Sequence, residues 1–363
     1  MFGRHPLTAA ICTDVVRRCL VAVLAGFGMA AFAADPAPAQ HLRIVGGLAT
    51  LNQFTQHEEP FWTRDLARLS GGRATAEIVP FDRAGIRGQE MLGLVQLGTV
   101  PFGTVSLTRS GAQDPVLYAP DLAGLNLDLA SMRRNAAAFR PHLQGLLRQR
   151  YGIELLALYI YPAQTTYCTK PLAGLADLAG RRVRTSNASQ SDFVLALGAT
   201  PVQTPFAEIV GNLRSASVDC VITGTMSGNT IGLHELSSHL HTLPLGWGLT
   251  AFVANLGAWN ALPADLRELL RRELPKLERA IWDESERESA EGVACNTGAA
   301  ACVNGRKGAM TEVRTTPADE RRRREILTEH VLPRWIQRCG APCAELWSTT
   351  MAPATGVALH GPR

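Results

Sequence analysis

Residues 172–229 read LAGLADLAGRRVRTSNASQSDFVLALGATPVQTPFAEIVGNLRSASVDCVITGTMSGN. Three short apolar runs with strand character, 180–185, 200–204 and 218–223, alternate here with helical patterns. The segment TPFAEIVGNLRSA (204–216) reads as a short helix with Phe206, Ile209, Val210 and Leu213 on its apolar face, and Pro205 suits its first turn. Strands alternating with helices predict a sheet with parallel strands covered by helices. In open sheets of this kind ligands bind outside the carboxyl ends of the strands. Arg184 stands at such an end, in RVRT (182–185), where Arg182 and Arg184 share one face and Val183 takes the other. A guanidinium is a planar fork of donors that matches a carboxylate bidentately, and the spacing alone leaves Arg184 open to two readings, a surface or salt-bridging arginine and a ligand contact.

Outward from this stretch the same cadence recurs. HLRIVGG (41–47) reads as a strand, 55–69 as a helix with Phe61, Trp62, Leu66 and Leu69 on one face, and RATAEIVPF (73–81) as a second strand. A helix over 87–97 and a strand over 100–106 complete a βαβαβ unit. The pattern then predicts a surface helix over 133–148 and a buried strand over 153–161. A further strand pattern runs from 249 to 263. After it, Leu266, Leu269, Leu270, Leu274, Leu277 and Ile281 recur at three- and four-residue spacing on a long helix that Pro275 is expected to kink.

The N-terminus carries the marks of export. Arg4, Arg17 and Arg18 precede an apolar run over 19–30 and the A-x-A site Ala31-Phe32-Ala33. That run is shorter than the roughly 20 residues of a membrane span. Residues 1–33 are therefore expected to be a signal peptide and 34–40 a disordered leader, with a periplasmic destination. The net charge is only +4, and Arg4, Arg17 and Arg18 against Asp14 carry +2 of it, which argues against nucleic acid as a partner. Eight cysteines include two in the signal. The remaining six, Cys168, Cys220, Cys295, Cys302, Cys339 and Cys343, are an even number in an exported chain and are expected to form disulfides. Fifteen pairings are open; sequence proximity favours Cys295 with Cys302 and Cys339 with Cys343, leaving Cys168 with Cys220. These spacings lack the C-x₂-C of common zinc sites, and no metal or cofactor is expected.

On its strand–helix order and on the motif G-(K/R)-x-(V/I)-R, here Gly180 to Arg184, the chain resembles the periplasmic solute-binding proteins of TRAP transporters, the DctP type, over roughly residues 42–291. The resemblance implies an α/β, two-lobed periplasmic binding protein with mixed sheets, flanking helices, a ligand cleft between the lobes and a long lobe-spanning helix. Lobe I would comprise 41–162, completed by 250–262, and lobe II 163–249. The spanning helix would take 263–291, and 292–363 would be a helical cap with disulfides. The resemblance also implies that Arg184 grips the carboxylate of a small organic acid and that Phe206, in the P-F-x-E segment, lines the cleft. Gln164 stands where some relatives carry a second cleft arginine. In VDCVITGTMSGN the commoner glycine, asparagine and proline are replaced by Cys220, Thr223 and Gly224. Thr223, Thr225, Ser227 and Asn229 then become the candidate hydrogen-bonding groups. Trp247, between two glycines, is a candidate either to stack on the ligand or to pack the hinge, and on lobe I Gln53 and Ser106 follow strand ends.

Signatures of catalysis are missing. GTMSG puts Met226 where a nucleophile elbow needs serine, and no phosphate-binding glycine loop appears. In HELSSH the two imidazoles stand at i and i+5, about 140° apart on a helix, which prevents a shared metal. The expected function is capture of a carboxylate solute and its delivery to TRAP-type membrane subunits, with no enzymatic activity. A sensor receptor for a signalling system, or a hydrolase or lyase on a similar scaffold, are the alternatives.

Overall fold

The computed structural model describes residues 40–359. The expected signal peptide and the leader as far as residue 39 lie outside the described residues; Gln40, expected in the leader, opens the first strand. Strands β1 (Gln40–Gly46), β2 (Ala74–Pro80), β3 (Phe102–Ser106), β4 (Ile153–Tyr159) and β10 (Thr250–Asn255) form one mixed sheet in the order β2-β1-β3-β10-β4. β1 runs parallel to β2 and β3, whereas β10 is antiparallel to both β3 and β4. The second sheet contains β5 (Gln164–Cys168), β6 (Arg182–Thr185), β7 (Thr200–Gln203), β8 (Cys220–Gly224), β9 (His239–Gly246) and β11 (Thr311–Val313), in the order β11-β9-β5-β8-β6-β7. The chain is therefore a two-lobed α/β protein. It crosses between lobes at 160–163 and returns at 247–249, and the two crossings lie side by side, with the Tyr161 N–H donating to Trp247 O at 2.8 Å.

The long helix Ala264–Thr297 is the spine of the molecule. Leu266, Leu269, Leu270, Leu274, Leu277 and Ile281 are all buried, packed with Trp62, Leu66 and Phe252 of lobe I. Pro275 lies inside the helix, which continues through it. One turn further on, the helix holds the outgoing crossing. Glu278 accepts the Leu158 N–H at 2.9 Å, and Trp282 Nε1 and Ser285 Oγ donate to Leu158 O and Ile160 O. The Ala163 N–H in turn donates to Ser289 Oγ. The helix then runs beyond the expected end at Glu291 because its last two turns dock on lobe II. At Gly292 the backbone comes so close to Thr225 and Met226 that an added Cβ would lie 2.3 Å from Met226 N.

The C-terminal region is not purely a helical cap, since β11 adds a parallel edge strand beside β9. Its helices return over the body of the protein, where Trp335 and Trp347 pack edge to face and Trp335 Nε1 donates to Pro115 O. The cysteines pair as Cys168–Cys220, Cys295–Cys302 and Cys339–Cys343. Cys168 and Cys220 are directly opposed on β5 and β8, so this bridge staples the centre of the lobe II sheet. It spans a sequence separation of 52, against 4 for Cys339–Cys343. In the chain-entropy description the first restrains the unfolded chain by about 4 kcal/mol and the second by about 2 kcal/mol. Replacing Cys168 and Cys220 together with alanine is therefore expected to lower the guanidinium unfolding free energy roughly twice as much as replacing Cys339 and Cys343. Equal losses would contradict this ordering.

Candidate functional site

The carboxyl ends of β3, β6 and β8 converge between the lobes and line a cavity. Lobe I contributes Thr104 and Ser106 of β3, Thr108 and Arg109 just beyond it, Thr250 of β10, and the apolar Leu48, Leu51 and Phe81. Lobe II contributes Gln164, Arg184, Ser186, Phe206, Thr223, Gly224 and Ser227, and the crossings supply Tyr161 and Gly248. The wall thus combines hydroxyl-bearing side chains with apolar ones, one amide and two guanidinium groups.

Arg182 and Arg184 share a strand face but have different tasks. Arg182, at the exposed start of β6, pairs with Asp219 at 2.9 Å. Arg184, two residues nearer the cleft, is 1 % exposed. Its guanidinium is held by main-chain oxygens alone: Nε and Nη2 donate to Thr204 O at 3.1 and 2.6 Å, and Nη1 to Ile222 O at 2.9 Å. Of the five N–H groups of a guanidinium, this leaves one on each Nη, the fork that a carboxylate fits. Among the described residues no carboxylate forms an ion pair with it. Burial, and then the neighbouring Arg109 charge, push its pKa down to about 9, against a weaker opposing pull from Glu208.

Arg109 follows β3 on the short helix Leu107–Ser110. It is half-buried, and burial lowers its pKa with only Tyr161 opposing. Behind the cavity wall Glu58 is 1 % exposed. It accepts the Gly47 N–H at 2.6 Å and the Thr104 hydroxyl, while burial pushes its pKa up to about 7. Gln164 Oε1 accepts from Gln190 Nε2 at 2.6 Å, and Gln190 Oε1 accepts both the N–H and the hydroxyl of Ser186. Gly248 lies beside this chain at φ +62, and an added Cβ would sit 2.7 Å from Gln164 Nε2. Both the backbone conformation and the close approach require glycine there.

Of the residues anticipated from the sequence, Arg184, Phe206, Thr223, Ser227, Gln164 and Ser106 border the cavity. Four others do not. Thr225 donates to Glu288 O and Ser289 O of the long helix. Asn229 pairs its amide with both main-chain groups of Arg306. Gln53 donates to Ser285 and Glu288. Trp247 is 3 % exposed and packed in the core, and its main-chain N–H donates to Asp121. In each case a partner distant in sequence claims the side chain or the backbone before a ligand can. Conversely Arg109, Thr104, Thr108, Tyr161, Ser186 and Thr250 line the cavity without having been anticipated. The strand-end rule that selected Arg184 applies equally to Arg109, three residues past Ser106 at the end of β3.

Residues 50–297 match the profile of the DctP family, described as bacterial extracellular solute-binding protein, family 7. The ectoine-binding periplasmic protein TeaA of Halomonas elongata is 23 % identical over 201 residues, which cover 54 % of this chain and 59 % of that protein. The match to this relative thus spans less than two-thirds of its length. The C4-dicarboxylate-binding periplasmic protein DctP of Rhodobacter capsulatus is 23 % identical over 278 residues, 76 % of this chain and 80 % of the other. Among solved structures, DctP7 of Bordetella pertussis, an extracytoplasmic solute receptor binding pyroglutamic acid, superposes with a TM-score of 0.76 at 21 % identity. The superposition covers 85 % of this chain and 99 % of that one.

Glu58 gives the site a pH signature. Its folded pKa of about 7 lies above the reference value of 4.5, so the folded protein binds the proton more tightly than the unfolded chain. Stability contributed this way is complete below pH 4.5 and is lost as the pH rises towards about 7. Glu58→Gln, which keeps an oxygen for Gly47 and an N–H for Thr104, is expected to flatten the fall in unfolding free energy across that window, by at most about 3 kcal/mol. Denaturant titrations at a series of pH values read this directly; identical slopes for variant and wild type would refute it.

Proposed function

The chain belongs to the DctP family of bacterial extracellular solute-binding proteins, and from that premise we propose that it is a periplasmic receptor that takes a small organic acid into the cleft and delivers it to a TRAP-type membrane transporter. The observation that carries this reading is the Arg184 guanidinium, fixed by three hydrogen bonds to main-chain carbonyls with one N–H spare on each terminal nitrogen. A buried cation without a counter-ion is costly. A ligand carboxylate supplies that counter-ion, and Phe206, Phe81 and Leu51 cover its apolar part while the surrounding hydroxyls take its remaining polar groups. For a compact ligand of about ten heavy atoms, roughly 0.8 kcal/mol per atom gives micromolar affinity without covalent chemistry.

Capture rather than turnover fits the same cavity. Ser227 borders it, but among the described residues no histidine does, and His234 is engaged with Asn229 and Glu235. A serine with no base in reach is a weak nucleophile. The relatives are named as periplasmic proteins that bind ectoine or C4-dicarboxylates, and the structural neighbour binds pyroglutamic acid. These are all compact solutes, and the export pattern of residues 1–33 agrees with the same compartment.

The acid released from the purified protein and identified by mass spectrometry is the natural probe for Arg184. Arg184→Lys keeps the charge and removes the fork, and calorimetry is expected to show at least a tenfold loss of affinity for that acid. Arg184→Ala also strands the Thr204 and Ile222 carbonyls, at about 1–3 kcal/mol each, and is expected to melt several degrees lower as well. Undiminished affinity in Arg184→Lys would remove the reading.

A further inference from the structure

One buried carboxyl group stands directly behind the cleft without a charge to balance it. Glu58 ends the short helix Gln53–Glu58 and is 1 % exposed. Its Oε1 accepts the hydroxyl of Thr104, which borders the cavity. Its Oε2 accepts the Gly47 N–H at 2.6 Å. An added Cβ on Gly47 would lie 3.1 Å from Glu58 Oε2 and 3.3 Å from the Tyr161 hydroxyl oxygen. The carboxyl group and this second cavity-lining residue therefore share the space over Gly47. Among the described residues no cation pairs with Glu58. On its own helix His57 is turned towards Glu284, and the following Glu59 is exposed. β4 and the outgoing crossing face it with the phenols of Tyr159 and Tyr161, whose ionisation its charge opposes. Glu278 acts on Tyr159, and Asp82 and Arg109 act on Tyr161, rather than on Glu58.

An uncompensated buried carboxyl holds its proton more tightly than an exposed one, and burial pushes the pKa of Glu58 up to about 7. That proton decides what Thr104 can offer a solute. Beside a carboxylate, the Thr104 hydroxyl donates its only hydrogen to Glu58 and turns lone pairs to the cavity, where they oppose an anion. Beside a protonated Glu58, Thr104 Oγ1 accepts the carboxyl O–H instead, and its own hydrogen is free for an anionic oxygen in the cavity. The negative charge that Glu58 loses would also act on that anion, strongly in a wall shielded from water. We propose that Glu58 and Thr104 form a proton-linked relay, through which the cleft takes up its anion together with one proton from solvent and loses affinity for the anion when that proton leaves. Glu58 is then a positioning residue that acts through Thr104, and the proton is a second ligand of the site. The proposal rests on the carboxylate-receptor reading and adds proton linkage to it.

The test is calorimetric titration with pyroglutamate, lactate, gluconate and tartrate, whose carboxyl groups stay ionised throughout. It is run at about pH 6 and about pH 8, on either side of the Glu58 value of about 7, on the wild type, Glu58→Gln and Thr104→Val. Repeating it in buffers of low and high ionisation enthalpy counts the protons taken up. The anion favours the protonated relay, so affinity is complete at the lower pH and falls as the pH rises. The wild type is expected to bind at least one of these anions roughly threefold or more tightly at the lower pH, taking up a fraction of a proton per anion. Glu58→Gln, whose amide N–H donates to Thr104 at every pH, is expected to keep the low-pH affinity across the range and to take up no proton at this position. Thr104→Val keeps the volume without the hydroxyl and is expected to bind roughly threefold or more weakly than the wild type at the lower pH. A wild type whose affinity does not change with pH, a pH dependence that persists in Glu58→Gln, or undiminished low-pH affinity in Thr104→Val would each overturn the relay and leave the receptor reading standing. A wild type that binds no member of the panel at either pH would overturn both.

Discussion

A guanidinium buried to 1 % exposure, with no carboxylate paired to it among the described residues, is the constraint around which this cleft is organised. Desolvating a cation is tolerable only when its donors are hydrogen-bonded. Here the acceptors are main-chain oxygens at the ends of neighbouring strands, Thr204 after β7 and Ile222 within β8. The position of Arg184 is therefore set by sheet topology: β6 lies between β7 and β8, with Arg184 level with Val202 and Val221. Cys168–Cys220 ties β8 to β5 within the same sheet. A site built on such a frame is held by backbone rather than by flexible side chains, and it leaves the two outward N–H groups free for a ligand.

Opposite this fixed half, lobe I and the crossings are positioned by buried polar groups. Asp121 accepts the N–H groups of Trp247 and Leu249, both at 2.9 Å, and its burial pushes its pKa up to about 6. The outgoing crossing is held by Glu278, Trp282, Ser285 and Ser289 of the long helix. Each crossing thus has a defined anchor, which fixes how the two lobes face each other in this structure.

The architecture was largely legible in the sequence because it rests on local periodicity. The βαβαβ pattern of residues 41–106 and the leucine stripe from 266 to 281 are dictated by burial of one face, which short-range spacing reports faithfully. Arg184 was legible for the same reason, since the end of an apolar strand in an open sheet faces the cleft. The residues misplaced were those whose partners come from far along the chain. Asn229 meets Arg306, 77 residues on, and Gln53 meets Glu288, 235 residues on; no local pattern announces such pairings. The flanking glycines of Trp247 left two positions open, stacking in the cleft and packing at the hinge. Gly248 adopts φ +62 beside Gln164, and Trp247 packs with the core. Arg109 was missed because SLTRS carries no strong helical or strand signature, although its place after β3 was visible.

The account turns on the spare fork of Arg184, and a crystal structure of the protein loaded with the acid it releases tests it most directly. The account predicts both oxygens of one ligand carboxylate on Nη1 and Nη2 of Arg184, at about 2.7–2.9 Å, with the bonds to Thr204 O and Ile222 O retained. A ligand seated elsewhere, with Arg184 still bonded only to main-chain carbonyls, would contradict it.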